Sequence, residues 1–276
     1  MDITSAIELN VTTALAEDIG NGDITAQLIP ASLTAIATVI SRDHATLCGK
    51  AWFESCFKRL DSNIHIQWFV QDGDRITPSQ KICEISGNAR AMLTAERPAL
   101  NLLQTLSGTA TLTRSYVDKI AGTSASILDT RKTLPGLRIA QKYAVLAGGG
   151  LNQRIGLYDG ILIKENHIAA AGGIFTVLVE ARKLAKPGVS IQIEVENMSQ
   201  LDEALQAGAK LILLDNFSFS KLREAVIFTA KRAVLEASGG ITLESVRLVA
   251  ETGVDRISVG NLTKDVKAVD FSMRFA

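Results

Sequence analysis

The sequence predicts an α/β protein, with a small N-terminal α+β domain followed by an open parallel α/β barrel. After Gly122, six short apolar runs alternate with amphipathic helical segments such as FTVLVEARKLA and SQLDEALQAGA. Regular alternation of strand and helix predicts a parallel sheet with right-handed crossovers. In the first part of the chain, strands and helices follow one another without that alternation, which is typical of an α+β domain.

The N-terminal part begins with apolar residues at helical spacing and continues into EDIGNGDITAQLIP, whose glycines, asparagine and aspartates break a helix. Residues 34–85 then predict strand, helix, strand, turn and strand. In the following AMLTAERPALNLLQTLSG the period is helical again. Thr94 and Pro98 predict a helix start there, and Gly108 and Gly122 predict breaks.

These patterns divide the chain into two domains. We expect an α+β domain over residues 1–109, against which the tail 266–276 can pack, and an open α/β barrel over residues 110–265. The predicted barrel strands are SILD, GILIK, IQIEVEN, LILLDN, AVLEASGG and ISVGN. A complete (β/α)₈ barrel has eight strands, so six favour an incomplete barrel. A doubly wound open sheet is the structural alternative.

Each predicted barrel strand ends in polar residues. In a barrel all of these strand ends converge on one face, which is where such enzymes keep their sites. The strand-end residues are Asp129, Arg131, Lys132, Lys164, Asn166, Glu194, Glu196, Asp215, Asn216, Glu236, Ser238, Ser258 and Gly260.

Composition excludes several classes of function. The formal net charge is zero and the isoelectric point is about 6.8, which argues against a nucleic-acid protein that works through a broad basic face. Cys48, Cys56 and Cys83 lack CxxC spacing and indicate neither a disulfide framework nor a zinc site. The start MDITSAIELN lacks a basic leader, and no apolar run reaches the roughly 20 residues that cross a bilayer. We expect a cytoplasmic protein without a membrane partner.

Positive charge is concentrated between residues 129 and 167. This stretch holds six lysines and arginines against three acids. Arg138 and Lys142, four residues apart, predict the solvated face of a helix. The other four cations fall beside strand ends or a glycine-rich loop and are candidates for an anionic ligand with several charges, since an arginine holds a carboxylate through two hydrogen bonds. They are Arg131, Lys132, Arg154 and Lys164.

Two successive strand-to-helix turns late in the chain, EASGGITLES and SVGNLTKD, predict a phosphate site. Glycines let backbone N–H groups approach an oxyanion, and the following helices offer their positive ends. Loops after the last strands of a barrel commonly bind phosphate. The alternative is that Gly239, Gly240 and Gly260 only form turns.

Carboxylates at strand ends are the third candidate group. Strand alternation places Glu194 and Glu196 on one face, where together with Asp215 they could hold Mg²⁺ or accept hydrogen bonds from ribose hydroxyls. Glu196 could instead be a structural partner of a neighbouring lysine. We expect His167 to orient its loop through hydrogen bonds rather than to act as a base, and His44 and His65 to be structural or exposed.

Several long motifs resemble the quinolinate phosphoribosyltransferase family. They are DTRKTLPGLR, KYAVLAGGG with NQRIGLYD, LIKENH, LLDNF and SGG, supported by GDIT and AERPALN in the first domain. The resemblance implies transfer of phosphoribosyl from phosphoribosyl pyrophosphate to quinolinate with loss of CO₂, giving nicotinate mononucleotide for NAD biosynthesis. It also implies Mg²⁺, no organic cofactor, and a homodimer in which the neighbour's small domain completes each site.

The resemblance assigns roles to individual residues. Quinolinate would be bound by Arg97 from the neighbouring subunit, with Arg131, Arg154 and Lys164. Phosphoribosyl pyrophosphate and its Mg²⁺ would be surrounded by Lys132, Glu194 and Asp215. The 5′-phosphate would be held by Ser238, Gly239, Gly240 and Gly260.

Two positions depart from the family pattern. Gln153 stands where the family usually has histidine before the arginine of its NHR motif, so this quinolinate contact cannot become cationic. Asn261 replaces the small residue usual after Gly260 in the phosphate loop. We expect Gln153→His to keep or tighten quinolinate binding.

Two other functions remain open at this point. One is a paralogue of the same fold acting on another pyridine or an unknown substrate, such as the related protein associated with molybdenum transport, which Gln153 favours. The other is a non-catalytic phosphosugar-binding module. Lys132, Glu194 and Asp215 together argue against that module, because passive binding does not need metal-side residues.

Overall fold

The structure is a computed structural model that describes all 276 residues. The chain forms ten α-helices and twelve β-strands, with a short 3₁₀ turn at Thr25–Leu28. In chain order they are α1 (Ile3–Ile19), β1 (Thr34–Ser41), β2 (Ala45–Thr46), α2 (Lys50–Leu60), β3 (His65–Trp68), β4 (Arg75–Ile76), β5 (Lys81–Asn88), α3 (Ala89–Lys119), β6 (Ser126–Leu128), α4 (Arg138–Ala147), β7 (Gly160–Ile163), α5 (Glu165–Ala171), α6 (Ile174–Leu184), β8 (Ser190–Val195), α7 (Met198–Gln206), β9 (Leu211–Asp215), α8 (Phe219–Thr229), β10 (Val234–Ser238), α9 (Val246–Ala250), β11 (Arg256–Ser258), α10 (Asn261–Lys264) and β12 (Phe271–Phe275).

Two compact units divide the chain. The first comprises Met1–Arg114, Thr133–Gly149 and Leu262–Ala276, and the second comprises Ser115–Lys132 and Gly150–Asn261. Segment 133–149, which carries α4, therefore lies in the first unit, although it follows β6 in sequence.

The first unit is built on an antiparallel sheet in the order β12-β1-β5-β3. The C-terminal strand β12 pairs with β1, from Ala37 opposite Phe275 to Ser41 opposite Phe271. The aromatic side chains of Trp52, Phe53 and Phe57 on α2 are fully buried in its core. Large aromatic groups contribute much of the apolar area that stabilises a small domain.

The second unit is a six-stranded parallel sheet in the order β6-β11-β10-β9-β8-β7. Read from β7, the strands follow chain order to β11 and then reach β6, which is the cyclic order of a barrel left open between β6 and β7. A doubly wound sheet would reverse its strand order at an internal switch point, and this sheet does not. The predicted fold class is confirmed, with six strands in an open barrel.

The long helix α3 corrects one prediction. It runs without interruption from Ala89 to Lys119, through both Pro98 and Gly108, so the expected start near Pro98 and the break at Gly108 are wrong. Asn88 Oδ1 accepts from Ala91 N over 3.1 Å and caps the helix earlier. A Cβ at Gly108 would clash with the Lys267 carbonyl, so this glycine permits a close approach of the C-terminal segment.

A second correction concerns α4. Lys142 is fully buried, so Arg138 and Lys142 do not form a solvated face. Helical spacing alone could not show this, because it does not tell which face of a helix packs inward. No helix in the structure combines the length and the apolar character needed to cross a membrane.

Candidate functional site

The carboxyl ends of the parallel strands gather most of the predicted site residues in the second unit. Asp215 at the end of β9 lies opposite Ser238 at the end of β10. Glu194, near the end of β8, lies opposite Leu213, which in turn lies opposite Glu236 on β10. Residues directly opposite in a sheet point to the same side, so these polar groups share one face of the sheet.

Lys164, directly after β7, reaches Glu194 on the neighbouring strand. Its Nζ donates to Glu194 Oε2 over 3.0 Å, and the side chains are 45% and 10% exposed, respectively. The backbone N–H of Lys164 donates to His167 Nδ1 over 3.0 Å. His167 therefore orients this loop, as expected from the sequence.

The turn EASGGITLES after β10, called the first glycine loop below, lines a cavity of about 280 Å³. Gly239 and Gly240 have φ values of 106° and 60°, which side chains adopt only with strain. A Cβ at Gly239 would also clash with Asn216 Oδ1 and lie 2.9 Å from Asn216 N. Asn216 N in turn donates to Ser238 O over 2.9 Å. Glycine at 239 is therefore required by the close approach of the loop after β9.

The same cavity is lined by Phe217, Ser218 and Phe219 at the start of α8, which the sequence prediction did not include. Ser218 caps this helix, since its hydroxyl accepts from Lys221 N. A helix N-terminus presents free N–H groups to an anion. The signal available in the sequence was a serine immediately before a helical segment and after the LLDN strand end.

Lys132 lies against the turn SVGNLTKD after β11, called the second glycine loop below. A Cβ at Gly260 would be 3.1 Å from Lys132 Cδ and 3.9 Å from its Nζ. The adjacent Asn261 is the first residue of α10. Lys132 and Gly260, both predicted to bind phosphoribosyl pyrophosphate, therefore lie close together although they are 128 residues apart in the sequence.

Arg131 and Arg154 form the cationic part of the site. Burial lowers the pKa of the Arg154 guanidinium, the positive charge of Arg131 lowers it further, and Asp159 acts in the opposite direction. A charge of the same sign disfavours the cationic form, and an anionic ligand bound at these residues would offset it. Arg154 Nη1 also donates to Gly160 O over 3.1 Å.

Gln153 is turned toward the protein rather than outward. Its Nε2 donates to both carboxylate oxygens of Glu236, over 2.7 and 2.6 Å, and to Gln192 Oε1 over 3.1 Å. Its backbone N–H donates to Asp129 Oδ1 over 2.8 Å. From the sequence, Glu236 was predicted to lie at a strand end, and no role was predicted for it.

Two of the predicted residues, Arg97 and Glu196, are exposed. Arg97 belongs to the first unit, where it is exposed on α3. Glu196 follows the end of β8 and is exposed, with its backbone N–H donating to Gln200 Oε1 over 2.7 Å. Because β8 ends at Val195, strand alternation does not extend to Glu196.

The acidic residues do not form a protein-only metal site. The structure contains no group of three or more His, Cys, Asp or Glu side chains placed to hold a metal ion, so Glu194, Glu196 and Asp215 do not assemble as one. Mg²⁺ commonly binds through one or two carboxylates together with substrate phosphates and water. Glu194 and Asp215 at the ends of adjacent strands fit that arrangement.

Comparison with known proteins covers nearly the whole chain. Residues 23–107 match the family model for the quinolinate phosphoribosyl transferase N-terminal domain, and residues 109–274 match the model for its C-terminal domain. The resemblance predicted from the motifs is confirmed.

Individual relatives agree with the family models. A probable nicotinate-nucleotide pyrophosphorylase [carboxylating] of Bacillus subtilis is 45% identical over 93% of this chain and 89% of its own length. The nicotinate-nucleotide pyrophosphorylase [carboxylating] of Mycobacterium leprae is 40% identical over 95% of both chains. A solved nicotinate-nucleotide pyrophosphorylase from Francisella tularensis superimposes with a TM-score of 0.96 at 45% identity, covering 99% of this chain and 96% of its own.

Proposed function

The chain belongs to the quinolinate phosphoribosyltransferase family, and we infer from its site how its own residues carry out the family reaction. The enzyme transfers phosphoribosyl from phosphoribosyl pyrophosphate to quinolinate, with decarboxylation, in NAD biosynthesis. One observation carries the assignment of roles. Two arginines, two lysines and two carboxylates lie in the same unit as two glycine loops, one lining a cavity and the other beside Lys132.

Quinolinate is a dianion, and the cations of the second unit supply its partners. Arg131 and Arg154 bind its carboxylates, because planar guanidinium groups hold carboxylates through paired hydrogen bonds and their mutual repulsion falls when a dianion lies between them. Lys164 adds a point charge next to Glu194.

Phosphoribosyl pyrophosphate binds through the glycine loops. Ser238, Gly239 and Gly240 hold the 5′-phosphate with the N-terminus of α8 beside them, which lines the same cavity. Lys132, which lies against Gly260, stabilises the negative charge of the pyrophosphate. Bound Mg²⁺ would supply further positive charge to the departing pyrophosphate, with Glu194 and Asp215 available to it.

The chemistry then follows from charge. As the bond from ribose C1 to pyrophosphate breaks, C1 acquires oxocarbenium character, and Glu194 and Asp215 hold the ribose hydroxyls and stabilise that charge. The pyridine nitrogen attacks C1 and becomes cationic. The neighbouring carboxylate leaves as CO₂, its electron pair remains on the ring carbon beside the cation, and protonation of that carbon gives nicotinate mononucleotide.

We also propose a cytoplasmic homodimer in which Arg97 of one subunit completes the acceptor site of the other. Arg97 is exposed on α3 and lies outside the unit that holds the other site residues, which supports this assignment. Ile24 and Leu28, at the edge of the same unit's 3₁₀ turn, are 82% and 81% exposed. Burial of these two side chains in a subunit interface would favour association through the hydrophobic effect.

The reaction is tested by incubating purified protein with phosphoribosyl pyrophosphate, Mg²⁺ and either quinolinate or nicotinate, following nicotinate mononucleotide and CO₂. We expect product and CO₂ from quinolinate only. Product from nicotinate alone would instead favour a paralogue with another pyridine acceptor. Thermal stabilisation by phosphoribosyl pyrophosphate without any product would favour a non-catalytic phosphosugar-binding module.

A further inference from the structure

Glu236 is a buried carboxylate whose hydrogen-bond donors are neutral amides. Its side chain, on β10, is 1% exposed. Gln153 donates to both of its oxygens, and Gln192 Nε2 donates to Oε2 over 3.0 Å. A buried carboxylate is costly unless it is well hydrogen-bonded, so these amides are needed wherever Glu236 is ionised.

The same contacts hold residue 153 from several directions. Its backbone N–H is bound to Asp129, which is fully buried, and its side chain is bound to Glu236. Gln153 Oε1 accepts from Arg154 N over 3.3 Å. The segment before Arg154 is therefore tied to β10 rather than held only by its own loop.

Arg154 has a specific need for such an anchor. The charge of Arg131 repels its guanidinium, and this repulsion would favour conformations in which the two groups move apart. Arg154 Nη1 is held by Gly160 O, and its main chain is held through Gln153. An acceptor site made of two like charges needs both ends of the arginine fixed, because small misplacements of binding groups are costly.

We propose that Glu236 is a positioning residue for quinolinate: by holding the Gln153 amide, it fixes Arg154 beside Arg131. Gln153 then acts on Glu236 and not on the substrate. This inference rests on the proposed function, since it assigns Arg154 to the acceptor. It explains why a neutral amide is suitable at position 153, where the required group is a hydrogen-bond donor directed at a carboxylate.

The test compares the wild type with Glu236→Gln and Gln153→Met in steady-state kinetics, varying quinolinate and phosphoribosyl pyrophosphate separately. We expect KM for quinolinate to rise about tenfold in each variant, equivalent to about 1.4 kcal/mol. The kcat and the KM for phosphoribosyl pyrophosphate should stay within about threefold, because only binding of the acceptor is lost.

An exchange variant separates positioning from general structural damage. Gln153→Glu combined with Glu236→Gln restores an amide–carboxylate pair with its ends exchanged, and we expect KM for quinolinate to return to within about threefold of wild type. The matched control is Asp255→Asn. Asp255 directly precedes β11, and its Oδ2 accepts from Leu235 N over 2.8 Å. Its kinetics should equal those of the wild type.

Three results would overturn the inference while leaving the proposed function intact. They are an unchanged KM for quinolinate in Glu236→Gln, a fall in kcat alone, or an exchange variant no better than the single variants. If Glu236→Gln does not fold, Gln153→Met and the exchange variant decide in the same way. A wild type that is inactive on quinolinate would instead overturn the proposed function itself.

Discussion

Lys164 Nζ donates to Glu194 Oε2 over 3.0 Å, so a cation proposed for the acceptor and a carboxylate proposed for the ribose form an ion pair with each other. The two proposed subsites therefore meet at the ends of β7 and β8. A substrate carboxylate that binds Lys164 must share this cation with Glu194, which couples the binding of the two substrates.

This pair leads to a prediction about charge. Lys164→Met removes a cation from the acceptor and leaves Glu194, only 10% exposed, without its ion-pair partner. We expect kcat/KM for quinolinate to fall at least about 100-fold, or roughly 2.7 kcal/mol. The control is Lys183→Met, which removes an exposed ion pair on α6 in which Lys183 Nζ lies 2.6 Å from Glu180 Oε1. Exposed ion pairs of this kind contribute about 0.2 to 1 kcal/mol to stability. Equal kinetic losses in the two variants would contradict the assignment.

The glycine loop is tested by adding a single methyl group. Gly239→Ala imposes strain at a φ of 106° and a clash with Asn216, so we expect KM for phosphoribosyl pyrophosphate to rise about 100-fold, or roughly 2.7 kcal/mol. Gly188→Ala is the matched control, because Gly188 also has a positive φ, of 87°, but no atom within 4 Å of an added Cβ. It should cost about 1 to 2 kcal/mol of unfolding free energy and leave KM unchanged. Loss of substrate affinity in the control would show that backbone strain alone explains the effect.

The geometry of the arginine is tested by keeping its charge. Arg154→Lys retains a cation but loses the planar pair of donors, so we expect KM for quinolinate to rise about 10- to 100-fold, or roughly 1.4 to 2.7 kcal/mol. Arg247→Lys loses a comparable contact, the donation from Nη1 to Ala121 O over 2.7 Å, and should keep wild-type kinetics. A wild-type KM in Arg154→Lys would mean that charge alone is recognised at this position.

The shared site is tested by mixing inactive subunits. If Arg97 acts in the neighbour's site and Arg131 in its own, a random mixture of Arg97→Ala and Arg131→Ala subunits contains one intact site in each heterodimer. About a quarter of wild-type activity should return. A mixture of Lys132→Ala and Arg131→Ala is the control, because both residues belong to the second unit and no site can be intact. No recovery in the first mixture, with heterodimers formed, would refute the shared site.

Local pattern was sufficient for the strands of the second unit. The runs around Ile163, Glu194, Asp215 and Ser238 are strands as predicted, because short apolar runs between amphipathic helices have few other ways to bury their side chains. The same kind of reasoning failed for α3, where Gly108 meets the carbonyl of a residue far along the chain. It also failed for Lys142, because charge does not show which side of a helix packs inward.

By itself, the sequence determined the fold class, the family and the residue types that the reaction needs, since these depend on periodicity and on motifs read within a few residues. The tertiary structure decided which of those residues meet. Lys164 and Glu194 are 30 residues apart, and Gln153 and Glu236 are 83 residues apart. Lys164 and Glu194 meet because the register of β7 against β8 brings the carboxyl ends of both strands to one level. Gln153 reaches Glu236 from the loop between α4 and β7. No local pattern encodes either contact.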